Sequence, residues 1–105
     1  MSFSLTIKTA QERAADRRAG AVAQVITAIN AHVEARAQAL GYNNAAACAG
    51  YRDSTVPAWA AEAQAFIAWR DAVWLAVYQL QGDLAEDGVV PGIEAILDAL
   101  PGWEA

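Results

Sequence analysis

The chain has 105 residues, a formal net charge of −5, 56% hydrophobic and 18% charged residues, with one Cys and one His. It is too apolar for a disordered chain and long enough for one domain, since independent cores usually need roughly 100 residues. With 7 Lys and Arg against 12 Asp and Glu, the charge argues against nucleic acid as the main partner, because affinity for phosphates comes chiefly from cations releasing counterions.

At the start, Phe3, Leu5 and Ile7 alternate with Ser4, Thr6 and Lys8, the period of two that marks a half-buried strand. No second strand stands ready to pair with it, so residues 1–8 are expected to be an extended tail or an edge strand that pairs with another chain. The first five residues lack the basic region and continuous apolar run of a secretory signal.

Thr9-Ala10-Gln11-Glu12 has the form of a capping box, which predicts a long helix over 9–41 that ends at Gly41. Within it Ala15, Ala19, Val22, Ile26, Ile29, Val33 and Leu40 recur three or four residues apart, with Arg36 interrupting, and make one narrow apolar stripe. Gly20 inside this helix is read as a kink or a close approach to another helix.

Tyr42-Asn43-Asn44 reads as a turn, followed by a short Ala-rich helix over 45–51 with Asn43 or Asn44 as its cap. Ser54 or Thr55 is then expected to cap a third helix, which Pro57 opens. That helix, over 57–86, carries Trp59, Phe66, Ile67, Trp69, Val73, Trp74, Leu75, Val77, Tyr78, Leu80 and Leu84. Large apolar groups on most of its circumference require enclosure by other helices or by another subunit. A last short helix over 93–100 presents Ile93, Ile96, Leu97 and Leu100, and Pro101-Gly102 stops it. The expected fold class is all-α: a small single-domain helical bundle, with a long N-terminal helix, a long aromatic-rich central helix and a compact helical part over 42–105.

Tyr42-Asn43 through Tyr51, Ser54-x-Val56-Pro57, Glu62-x-Gln64, Arg70-Asp71-Ala72-x-Trp74, Tyr78, Pro91 and Leu100-Pro101 together resemble a group of small tailed-phage and prophage proteins. These are described as hypothetical virion or tail-associated proteins, often encoded near tail-fibre and tail-assembly functions. The resemblance spans about the last two-thirds of the chain, and its most specific piece is Arg70 to Trp74 preceded by Ser54 to Pro57 at this distance. It implies a phage or prophage protein of tail, tail-fibre or virion assembly, found in the bacterial host cytoplasm or the virion, whose partners are copies of itself or another phage structural protein. It transfers no catalytic residue, no metal ligand and no cofactor.

The residues themselves offer little for chemistry. Cys48, amid Ala45-Ala46-Ala47 and Ala49, reads as a small buried hydrophobe, and it has no second cysteine for an internal disulfide. His32 reads as a half-exposed surface residue. Glu62 and Asp71 are nine residues apart on a helix, two and a half turns, and point to opposite sides. No apolar run reaches the roughly 20 residues a bilayer needs; the longest, Ala72 to Gly82, is closed by Asp71 and Asp83, so no membrane partner is expected.

Arg70 and Asp71 in so apolar a helix must be exposed, paired or hydrogen-bonded, and each is expected to meet groups from the Tyr42-to-Ser54 region. Trp59, Trp69 and Trp74 do not fall on one stripe, so some face outward or into another subunit. The candidate interface or structural network is therefore Trp59, Arg70, Asp71, Trp74, Tyr78 and Trp103, in a non-enzymatic, homo-oligomeric protein that works by protein contact. The alternative is a small acidic regulatory or inhibitory binder of a host protein.

Overall fold

The structure, a computed structural model, describes residues 9–87 and 90–103. The expected strand at Phe3, Leu5 and Ile7 lies outside the described residues, as does the side chain of Leu84. Four α-helices follow in order: α1 (Ala10–Ala39), α2 (Ala45–Ala49), α3 (Pro57–Asp87) and α4 (Ile93–Ala99), with a 3-10 turn at Gly50–Asp53 between α2 and α3. No strand occurs among the described residues, so the fold is all-α with a long N-terminal and a long central helix.

Local chemistry sets both ends of α1. The Thr9 hydroxyl accepts from the Glu12 amide at 3.1 Å while the Glu12 carboxylate accepts from the Thr9 amide at 3.1 Å, a reciprocal cap that satisfies two orphan donors. At the far end Gly41 takes φ 102, and the amides of Gly41 and Tyr42 donate back to the carbonyls of Gln38 and Ala37. This paired closure needs a left-handed residue just past the helix, which is glycine's natural place.

Asn44 caps α2 by accepting from the Ala47 amide at 2.7 Å. Neither Ser54 nor Thr55 occupies the cap position of α3: the Ser54 hydroxyl accepts from the Val56 amide at 3.1 Å and braces the turn into Pro57, and the Val56 carbonyl takes the first helical bonds.

The core forms where the C-terminal half of α1, α2, α3 and α4 meet: Ile29, Val33, Ala37, Cys48, Phe66, Trp69, Val73, Val77, Ile96 and Leu100 are buried together. Cys48 is a buried hydrophobe, as expected, and Ala37, which was not among the residues of the expected stripe, joins the core. The first half of the stripe is different. Ala15 and Ala19 are exposed, and none of residues 10–20 is buried. Gly20 makes no close approach, since a Cβ built on it would meet nothing within 4 Å, and α1 runs through it unbroken. With this exposed segment the chain is elongated, its radius of gyration 18.5 Å against about 13 Å for a compact chain of this length.

Enclosure of α3 within the chain is incomplete. Leu75 and Tyr78 are 64% and 63% exposed, because α1, α2 and α4 all pack on the opposite side of the helix, over Phe66, Val73 and Val77.

Candidate functional site

Two groups of side chains converge, one between the second half of α1, α3 and the segment after α4, the other at the corner where α1 turns into α2. The first surrounds Trp69, which is 7% exposed. Its indole N–H donates to the Pro101 carbonyl at 3.0 Å, and its ring meets His32 at 5.5 Å, Phe66 at 6.0 Å and, edge to face, Trp103 at 5.9 Å. The Arg36 guanidinium lies 5.7 Å from the Trp103 ring. Among the described residues its Nε is the one buried side-chain polar atom without a hydrogen-bond partner, and the ring's negative face supplies part of what is missing. The charge that interrupts the apolar stripe of α1 is thus turned onto an aromatic face, and Trp103 is a structural residue that docks the segment after α4.

The second group lies at the entrance to α3. The backbone reversal at Gly41 carries Tyr42 past the end of α1, and the 3-10 turn presents Tyr51. Trp59 and Glu62, three residues apart, share a face of the first turns of α3. The Tyr42 hydroxyl donates to Glu62 Oε1 at 2.8 Å. Tyr42 and Tyr51 have ring centroids 5.4 Å apart at 52°, and Tyr51 and Trp59 stand edge to face at 5.8 Å and 88°. With Leu40 and Gly41 these side chains line an open cleft of about 290 Å³. The Glu62 hydrogen bond, with burial adding, pushes the Tyr42 phenol up to about 12, so it stays a neutral donor well into the alkaline range. Burial, with the Glu62 charge adding, also pushes the Cys48 thiol up, the reverse of what a reactive thiolate needs.

Arg70 and Asp71 do not reach the Tyr42-to-Ser54 region. Arg70 folds back on its neighbour, with Nε and Nη2 at 3.1 and 3.0 Å from Asp71 Oδ1. The reason is distance: the corner packs at the N-terminal end of α3, and Arg70 lies eight residues, about 12 Å, beyond Glu62. The ties the sequence assigned to that pair are made by others. Glu62 holds Tyr42, Gln64 Nε2 donates to the Arg52 carbonyl at 3.0 Å, and Glu34 Oε2 accepts from the Ala45 amide at 2.8 Å, a second acceptor at the start of α2.

Of the other expected interface residues, Trp59 is 50% exposed in the aromatic cleft, Trp74 is half-buried against the core, and Tyr78 faces outward on α3. The network expected from the sequence did not include Tyr42, Tyr51, Glu62 or Trp69. A capped turn ending in Tyr, followed by Trp-x-x-Glu on a helix face, is the signal that brings the first three together.

No family model matches this chain, and neither a curated protein nor a solved structure does. Among the described residues no group of three or more His, Cys, Asp or Glu is placed to hold a metal ion, and no helix is long and apolar enough to cross a membrane.

Proposed function

We propose that this protein works by protein–protein contact rather than as an enzyme, and that it self-associates through the outer flank of α3. The observation that carries this reading is the exposure of Leu75 and Tyr78 on the side of α3 opposite its own core. Ala68, Asp71, Leu75 and Tyr78 recur at spacings of three, four and three, so they form one seam along the helix, and a second copy offers the same seam in return. The C-terminal half of the seam is the stronger, because Leu75 and Tyr78 supply its large apolar surface. Tail, tail-fibre or virion assembly in a phage or prophage is the setting suggested by the sequence resemblance, and a virion protein is the partner class that goes with it.

Sedimentation velocity over a concentration series tests the proposal. The wild-type chain should associate as concentration rises, and Leu75→Glu with Tyr78→Glu should leave it a monomer. Both positions are so exposed that the double variant should lose no more than about 0.5 kcal/mol of stability per site. A wild-type chain that stays monomeric throughout, or a double variant that associates as well as the parent, would remove self-association from the account.

A further inference from the structure

We propose that the cleft between Tyr42, Tyr51, Trp59 and Glu62 is a binding site for a methylated ammonium group. None of these residues belongs to the outer flank of α3, so the proposal stands apart from self-association.

Three observations carry it. First, the walls are aromatic and set at steep angles to one another, 52° between Tyr42 and Tyr51 and 88° between Tyr51 and Trp59, so they offer ring faces and edges from more than one direction. Ring faces carry negative potential and attract a cation placed over them, Trp most strongly. Second, Trp59 and Tyr51 keep 50% and 41% of their surface in the open, which is unusual for rings that have neighbours to pack on, and both border the same cleft of about 290 Å³. That volume sits at the lower edge of small-ligand sites and suits a headgroup better than a whole cofactor. Third, one carboxylate, Glu62, stands at the cleft, and one of its oxygens already accepts from the Tyr42 hydroxyl at 2.8 Å.

The third point chooses among cations. A primary ammonium has three N–H donors to satisfy, and a guanidinium has five in a fixed fork. This cleft has one carboxylate with one oxygen already engaged, so either group would lose hydrogen bonds to water without replacing them. A trimethylated nitrogen has no N–H. It leaves water at less cost, fills the space between rings with methyl groups, and needs only the negative charge and the ring faces. The net charge of −5 adds a field that draws cations toward the molecule.

Such a group could be carried by a free small molecule of the choline type or by a trimethyllysine side chain of a protein, and the two share this recognition chemistry. The test titrates the full chain at constant ionic strength with choline, with 3,3-dimethylbutanol as its uncharged carbon analogue, and with the blocked amides of trimethyllysine and of unmodified lysine. Tryptophan emission and calorimetry are followed.

Choline should bind at least about tenfold tighter than dimethylbutanol, and trimethyllysine amide should exceed lysine amide by a similar factor. Whichever of choline and trimethyllysine binds tighter identifies the source. Trp59→Ala should weaken both by about tenfold or more, and Glu62→Gln by several-fold, with far-UV circular dichroism unchanged for the half-exposed Trp59. Equal binding of choline and its neutral analogue, equal or better binding of unmodified lysine, or no saturable response to either methylated probe would overturn the proposal. The probe comparisons use the wild-type chain, so they decide the matter even where a variant misfolds.

Discussion

The two long helices, α1 and α3, have 30 and 31 residues and are held in opposite ways. α1 is polar on most sides, with firm caps at both ends, yet it is buried only along Ile29, Val33 and Ala37 in its second half. α3 is apolar on nearly every side and supplies Phe66, Trp69, Val73 and Val77 to the core, yet it leaves Leu75 and Tyr78 bare. The difference teaches that caps and propensity set where a helix starts and stops, while burial is set by where its neighbours run out. α2 and the 3-10 turn are short and pack toward the N-terminal end of α3, and α4 packs on α1 further along, so among the described residues neither long helix is covered throughout.

The sharpest way to break this contrast is at Phe66, which is fully buried between the helices. Phe66→Ala should cost roughly 3–5 kcal/mol, read as a fall in the urea midpoint with little change in slope, because the cavity cannot collapse where three elements meet. A loss near 1 kcal/mol would mean that the core is loosely packed and that α1 and α3 differ less than their burial suggests.

Much of this fold could be read from the chain because its punctuation is local. Thr9 with Glu12, Gly41, Asn44, Pro57 and Pro101 each act within one turn of their own position, and the helix ends they mark fall within about two residues of those predicted. What could not be read was which side of α3 would meet the rest. A helix that is apolar all round carries no directional signal, so periodicity could not separate Trp69, in the core, from Leu75, outside it. The expected role of Arg70 and Asp71 failed for the same reason. Charge in an apolar helix says that a partner is needed, but not where the packing corner lies. The aromatic cleft was harder still, since Tyr42, Tyr51 and Trp59 come from three separate elements and converge only once Gly41 has reversed the chain.

A middle-sized effect tests the corner that orders these elements. Tyr42→Phe removes the hydroxyl that donates to Glu62 and should cost about 1 kcal/mol at neutral pH. The free phenol titrates near 10, and in the fold it is pushed up to about 12, so the folded state holds the proton more tightly than the unfolded one. The stabilisation is therefore complete below pH 10 and is lost as pH rises toward 12. The stability gap between wild type and Tyr42→Phe should narrow over that window, measured by urea unfolding at successive pH values. A gap that stays constant across it would mean that the hydroxyl contributes through packing alone.

The smallest effect is the most telling about α1. At Gly20 an added Cβ meets nothing within 4 Å, so Gly20→Ala changes no contact and reports only the backbone preference for helix, about 0.5–1 kcal/mol. How much of that reaches global stability depends on whether the first half of α1 melts together with the core. None of residues 10–20 is buried, and few packed neighbours is what gives a segment a low local opening energy. The unfolding free energy read from the urea midpoint should therefore change by less than about 0.3 kcal/mol, while amide exchange at residues 16–21 slows several-fold. If instead the whole increment appears in the midpoint, the capped but uncovered turns of α1 belong to the same cooperative unit as Phe66, and the contrast between the two long helices is one of surface, not of stability.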